Sequence, residues 1–108
     1  MEITQNLMEK ALAYLAETDV EYADAKGLLE ELAISCKRMR QRAFTLATGT
    51  VAERNALAED TPGVVKADCE WISQVRAFEV LKQKRARAVL TIDIWRSLNA
   101  SRRQGNIT

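Results

Sequence analysis

The sequence predicts an all-α protein: a long antiparallel helical hairpin, coiled-coil-like, with a short helix at the turn. Three observations carry this expectation. Proline appears once and glycine four times in 108 residues, while Ala, Leu, Glu, Lys, Arg and Gln are abundant. Those unbranched side chains lose little rotamer freedom in a helix. Apolar or small residues recur at Met8, Ala11, Leu15, Tyr22, Ala25, Leu29, Leu32, Cys36, Met39, Ala43 and Leu46, with Thr18 in the one polar slot. Alternating steps of three and four give a period of about 3.5, which holds one stripe toward a partner helix. Beyond Val64, no breaker interrupts the chain before Gly105.

The first helix is expected over residues 4–47, where Leu7, Leu12, Leu28 and Phe44 widen the stripe as in a bundle. Thr18 to Glu21, "TDVE", also matches a capping box. A break or kink at Thr18 is therefore a second reading of the same stretch. Gly49 supplies a left-handed stop, and Thr50 with Glu53 forms a capping box for a short helix at 51–59. Thr61 is placed as the N-cap of a second long helix at 62–103, with Pro62 in its first turn, where the missing N–H costs nothing. Its face runs through Val64, Trp71, Val75, Phe78, Leu81, Ala88, Ile92, Trp95 and Leu98 or Asn99. The chain reads as one domain, 1–108, folded back around 49–61, which brings Leu15 near Trp95. Two helices leave the far edge of each stripe wet, so a homo-oligomer is expected, a four-helix dimer or larger.

Catalytic chemistry finds no residues here. Histidine is absent, and Cys36 and Cys69 stand alone without metal-ligand spacing. They read as reduced thiols packed as small hydrophobes. The glycines at 27, 49, 63 and 105 form no phosphate loop. Glu30–Glu31 and Glu59–Asp60 read as solvated helix and cap residues. The expectation is a non-enzyme with no metal, no cofactor and no small-molecule substrate. No apolar run is long enough to span a membrane, and "MEITQNLMEK" lacks the pattern of a signal peptide, so a cytoplasmic location is expected.

Charge is the stronger lead. Residues 1–36 hold eight acidic and two basic side chains, net −6, and residues 64–108 hold four acidic and nine basic ones, net +5. The intervening 37–63 segment holds three acidic and five basic ones, net +2. "KRMRQR" carries Lys37, Arg38, Arg40 and Arg42, and "KQKRAR" includes Arg85 and Arg87. Arg96, Arg102 and Arg103 follow. These nine are the candidate contacts for phosphate or for an acidic partner. The competing account is a solvated coiled-coil flank, with Arg102 and Arg103 also complementing the helix dipole. Trp95, Asn99 and Arg102 share a helix face. Trp95 reads first as a plug against Leu12 and Leu15, and second as a platform for an unpaired base.

Three stretches, "ALAYLAETDVEYADAK", "GTVAERNALAED" and "IDIWRSLNASRRQGN", together resemble small early proteins of tailed phages encoded in recombination gene clusters. In size, hairpin plan and basic arm the chain also looks like the recombination-mediator proteins of T-even phages. The resemblance implies a non-enzymatic accessory of DNA recombination or replication in the host cytoplasm, binding single-stranded DNA or a recombination protein. The alternative is a protein-binding inhibitor of a host nuclease or defence complex, and a third reading is a structural adaptor of the virion.

Overall fold

A computed structural model describes residues 3–107 of the chain, with side chains through Gly105. Its elements are α1 (Gln5–Leu46), α2 (Val51–Asp60) and α3 (Pro62–Ile107), and no strand occurs among the described residues. The long helices α1 and α3 pack against each other, with α2 at the turn, so the fold is the all-α helical hairpin expected. Its contacts divide into two compact units. Unit 1 joins Met1–Ala23 to Glu79–Thr108, and unit 2 is Asp24–Phe78.

In unit 1 the helices run antiparallel around Ala11, Ala88 and Ile92, with Met8, Tyr14 and Leu15 packed against that core. Alanine on both helices lets the backbones approach closely. Arg85 reaches back to the Leu15 carbonyl and the Thr18 hydroxyl. Leu15 is therefore level with Arg85 to Ala88, about two turns from its expected place beside Trp95. The half-buried Trp95 falls level with Met8, and Leu12 is exposed. In this register the polar slot at Thr18 takes the guanidinium.

α1 passes through Thr18 without a break. The Thr18 hydroxyl donates back to the Tyr14 carbonyl at 2.8 Å, so it serves the helix interior and the capping-box reading of "TDVE" fails. α3 likewise continues through Gly105 to Ile107, past the expected end at 103. A single glycine costs a helix only about 1 kcal/mol relative to alanine, and Gly105 does not take a positive φ.

Unit 2 holds the turn. Gly49 has φ +115°, a conformation that side chains rarely adopt, and it ends the link from α1. The Glu53 N–H donates to the Thr50 side chain at 3.2 Å, starting α2 as expected. Arg54 donates to the Phe44 carbonyl at 3.2 Å and lies 4.1 Å from that ring's centroid, closing the end of α1. Thr61 precedes α3, but its hydroxyl donates to the Leu57 carbonyl of α2 at 2.9 Å, so its side chain finishes α2 instead of capping α3. The buried line also departs from the heptad. After Leu32 and Cys36 it advances by four again to the half-buried Arg40, then Ala43 and Ala47. Met39 is 39% exposed and Leu46 78% exposed, although both fit the heptad period. Two consecutive steps of four are a stutter, which locally unwinds a coiled-coil seam, and the added position is filled by Arg40, which bonds Glu59 and Asp68.

Candidate functional site

The nine cationic candidates separate by what surrounds them. Arg40 is spent inside unit 2. Its Nε donates to Glu59 of α2 at 2.8 Å, and its Nη2 bonds Asp68 of α3, so one side chain ties all three helices together. Hydrogen bonds donated to Glu59 and Asp68 hold the Arg40 guanidinium above its already high ordinary range. Arg85 is spent inside unit 1. Nη1 donates to the Leu15 carbonyl at 3.0 Å and to Thr18 Oγ1 at 2.6 Å, and Nη2 meets Asp19 at 2.7 Å. The Tyr22 ring lies 5.0 Å away. Both arginines are held by acceptors of their own chain, so fewer of their donors remain open to a ligand.

The other candidates stay at the surface. Lys37, Arg38, Arg42, Arg87, Arg96 and Arg103 are exposed, and none takes part in the ion pairs found among the described residues. Arg102 is exposed and engaged in an interaction of its own. Helical phase divides the free cations among several faces. Arg38 and Arg42, one turn apart, line a shallow cleft of about 230 Å³ with Ser35 and Met39. Lys37 points to a different flank of α1. Arg96 and Arg103 share a face of α3, and Arg87 stands on another.

On the Lys37 flank, unit 2 contains an open groove of about 470 Å³ lined by Ala33, Cys36, Lys37, Arg40, Asp68, Trp71 and Ile72. Trp71 lies level with Ala33 and Cys36 across the helix pair, and those small side chains cannot cover an indole. It is left 38% exposed, with Ile72 beside it. The sequence placed Trp71 on the core face, and only the register of α1 against α3 reveals that nothing large opposes it. Arg40 neutralises Asp68 at the groove's edge, leaving Lys37 as its free cation. Burial, then the charge of Asp68 and a hydrogen bond with it, pushes the Cys36 thiol up, so it is held neutral.

Seventeen large apolar side chains are exposed among the described residues, against eight buried hydrophobic ones, half of which are alanine. Much of the large apolar surface of the described residues is therefore left uncovered within one chain. No group of three or more His, Cys, Asp or Glu among the described residues is placed to hold a metal ion. Among them, too, no helix is long and apolar enough to cross a membrane. No family model matches the chain, and neither a curated protein nor a solved structure matches it.

Proposed function

We propose that the protein is a non-enzymatic accessory of phage DNA recombination or replication, binding single-stranded DNA through unit 2. The observation that carries this reading is the exposed Trp71 indole in an open groove beside the unpaired Lys37. An indole face offers an unpaired base a stacking surface worth about 1–3 kcal/mol, and an adjacent ammonium suits the neighbouring phosphate. Arg38 and Arg42, with no carboxylate of their own, extend the cationic character of the same stretch of α1. Arg87, Arg96 and Arg103 supply further cations on unit 1. The context of recombination comes from the sequence resemblance alone.

The test is a fluorescence titration with a single-stranded oligonucleotide, using a Trp95→Phe variant so that Trp71 is the only indole. Quenching is expected, with affinity falling as salt rises because neutralised phosphates release counterions. Lys37→Ala and Arg38→Ala should each flatten that salt dependence. No quenching at low salt refutes the DNA reading. The many exposed apolar side chains favour a second reading, a protein-binding inhibitor or a partner of a recombination protein. Stoichiometric capture of one protein from nuclease-treated lysate, with no effect of DNA, supports that reading instead.

A further inference from the structure

We propose that a second copy of this chain docks along one side of unit 1, each copy's α1 meeting the other's α3 about a two-fold axis parallel to the helices. This goes beyond the nucleic-acid reading and uses different residues.

Helical phase determines which residues share that side. Ala11 and Thr18 of α1 face Ala88, Ile92 and Arg85 of α3. In an antiparallel pair so oriented, Leu7, Glu17 and Glu21 turn to one side, and Lys84, Arg87, Ile94 and Leu98 turn to the same side. Leu7, Ile94 and Leu98 are among the exposed apolar side chains. The four charged residues are exposed and make no ion pair among the described residues. Glu17 and Glu21 repel one another one turn apart, as do Lys84 and Arg87. Among the described residues, Arg85–Asp19 is an ion pair between the acidic α1 segment and the basic α3 segment of unit 1. Glu17, Glu21, Lys84 and Arg87 are not part of it.

A two-fold axis along the helices supplies the match. It keeps the second copy's α3 at the height of the first copy's own α3, so the intramolecular register carries over. Glu17 then meets Arg87 of the second copy, Glu21 meets Lys84, and Leu7 meets Ile94 and Leu98. Lys10, on the same side, is level with Ile94 and clear of the facing cations. The side is about 25 Å long and two helices wide, the scale of a specific interface that buries about 800 Å² per partner. Because one side holds both halves of the pattern, the surface complements itself. A foreign partner would have to reproduce both halves.

The experiment is sedimentation equilibrium on the full chain, with circular dichroism to check helicity. The expected species has twice the 12.1 kDa chain mass. Glu17→Arg or Arg87→Glu alone should weaken the dimer about ten-fold, and the two together should restore it, because the swapped charges meet again. Leu98→Glu should give a monomer of unchanged helicity. Three outcomes overturn the proposal: a monomer at every concentration, a dimer that none of these changes weakens, or single charge swaps whose effects the double swap does not rescue.

Discussion

Replacing Arg85 with methionine tests whether unit 1 is held in register by its polar clamp. The Arg85 side chain is only 18% exposed, and its guanidinium serves two acceptors inside the helix pair besides Asp19. Asp19 is 64% exposed, so its share is screened and is worth under about 1 kcal/mol. Bonds from a charged donor to the Leu15 carbonyl and the Thr18 hydroxyl are each worth about 1.5–3 kcal/mol before losses. Methionine keeps the length of the stem, and neither acceptor is orphaned. Thr18 still donates to Tyr14, and the Leu15 carbonyl keeps its place in the helix. The net loss should therefore be near the low end, about 2 kcal/mol, or roughly 10 °C in Tm for a chain of this size. Urea unfolding at one fixed protein concentration measures it. A double-mutant cycle with Thr18→Val isolates the pair, which should couple by about 1 kcal/mol or more. If Arg85→Met unfolds at the wild-type midpoint, or if the two changes simply add, the clamp does not stabilise the unit and the register has another origin.

Arg40→Met should cost less, about 1 kcal/mol, because Arg40 and Glu59 are more than a third exposed and their attraction is screened; urea midpoints compare it with Arg85→Met. The same change removes the charge that lowers the Cys36 pKa, so the thiol should titrate higher still, as read from the pH profile of alkylation. In the wild type, iodoacetamide near neutral pH should modify the exposed Cys69 well before the buried Cys36, and equal rates would contradict the burial. Because folding raises the Cys36 pKa, its contribution to stability is complete below the ordinary thiol range. It should be lost as pH climbs through the folded value, giving a falling urea midpoint on the alkaline side that Cys36→Ala abolishes. Gly49→Ala should destabilise by about 1–2 kcal/mol in a thermal melt, since its φ is +115° and an added Cβ would sit 2.5 Å from a Glu53 carboxylate oxygen.

The fold was legible because helix propensity, apolar period and stop signals agree over most of this chain. Gly49, Thr50 and Pro62 act at the turn as their chemistry requires. The errors lie where one local pattern has two uses. "TDVE" caps a helix when its threonine finds free N–H groups, but Thr18 lies in the middle of a packed helix and turns its hydroxyl to Tyr14 and Arg85. Met39 and Leu46 fit the heptad, yet the step from Cys36 to Arg40 rotates the packed face away from them. That step depends on Asp68 and Glu59, which are 28 and 19 residues away. The same distance hid the groove, because Trp71 looks like a core residue until Ala33 and Cys36 are known to lie opposite.

The two clamps also explain why this helix pair tolerates so little large apolar burial. Among the described residues, Val64 is the largest side chain that is fully buried, and alanine makes up half of the buried hydrophobic set. Small side chains let helices approach closely, but they define register poorly, since one alanine fits a neighbour's groove much as another does. A buried polar partner is different. Moving α3 by one turn relative to α1 in unit 1 would strip the Arg85 guanidinium from Thr18 and leave a half-buried charge unpaired, which costs several kcal/mol. In unit 2 the same slip would separate Arg40 from Asp68. A single polar residue inside a helix seam is known to fix register at some cost in stability, and here one arginine per unit has that position. A guanidinium held this way has fewer donors left over than the exposed Arg38, Arg42, Arg87, Arg96 and Arg103.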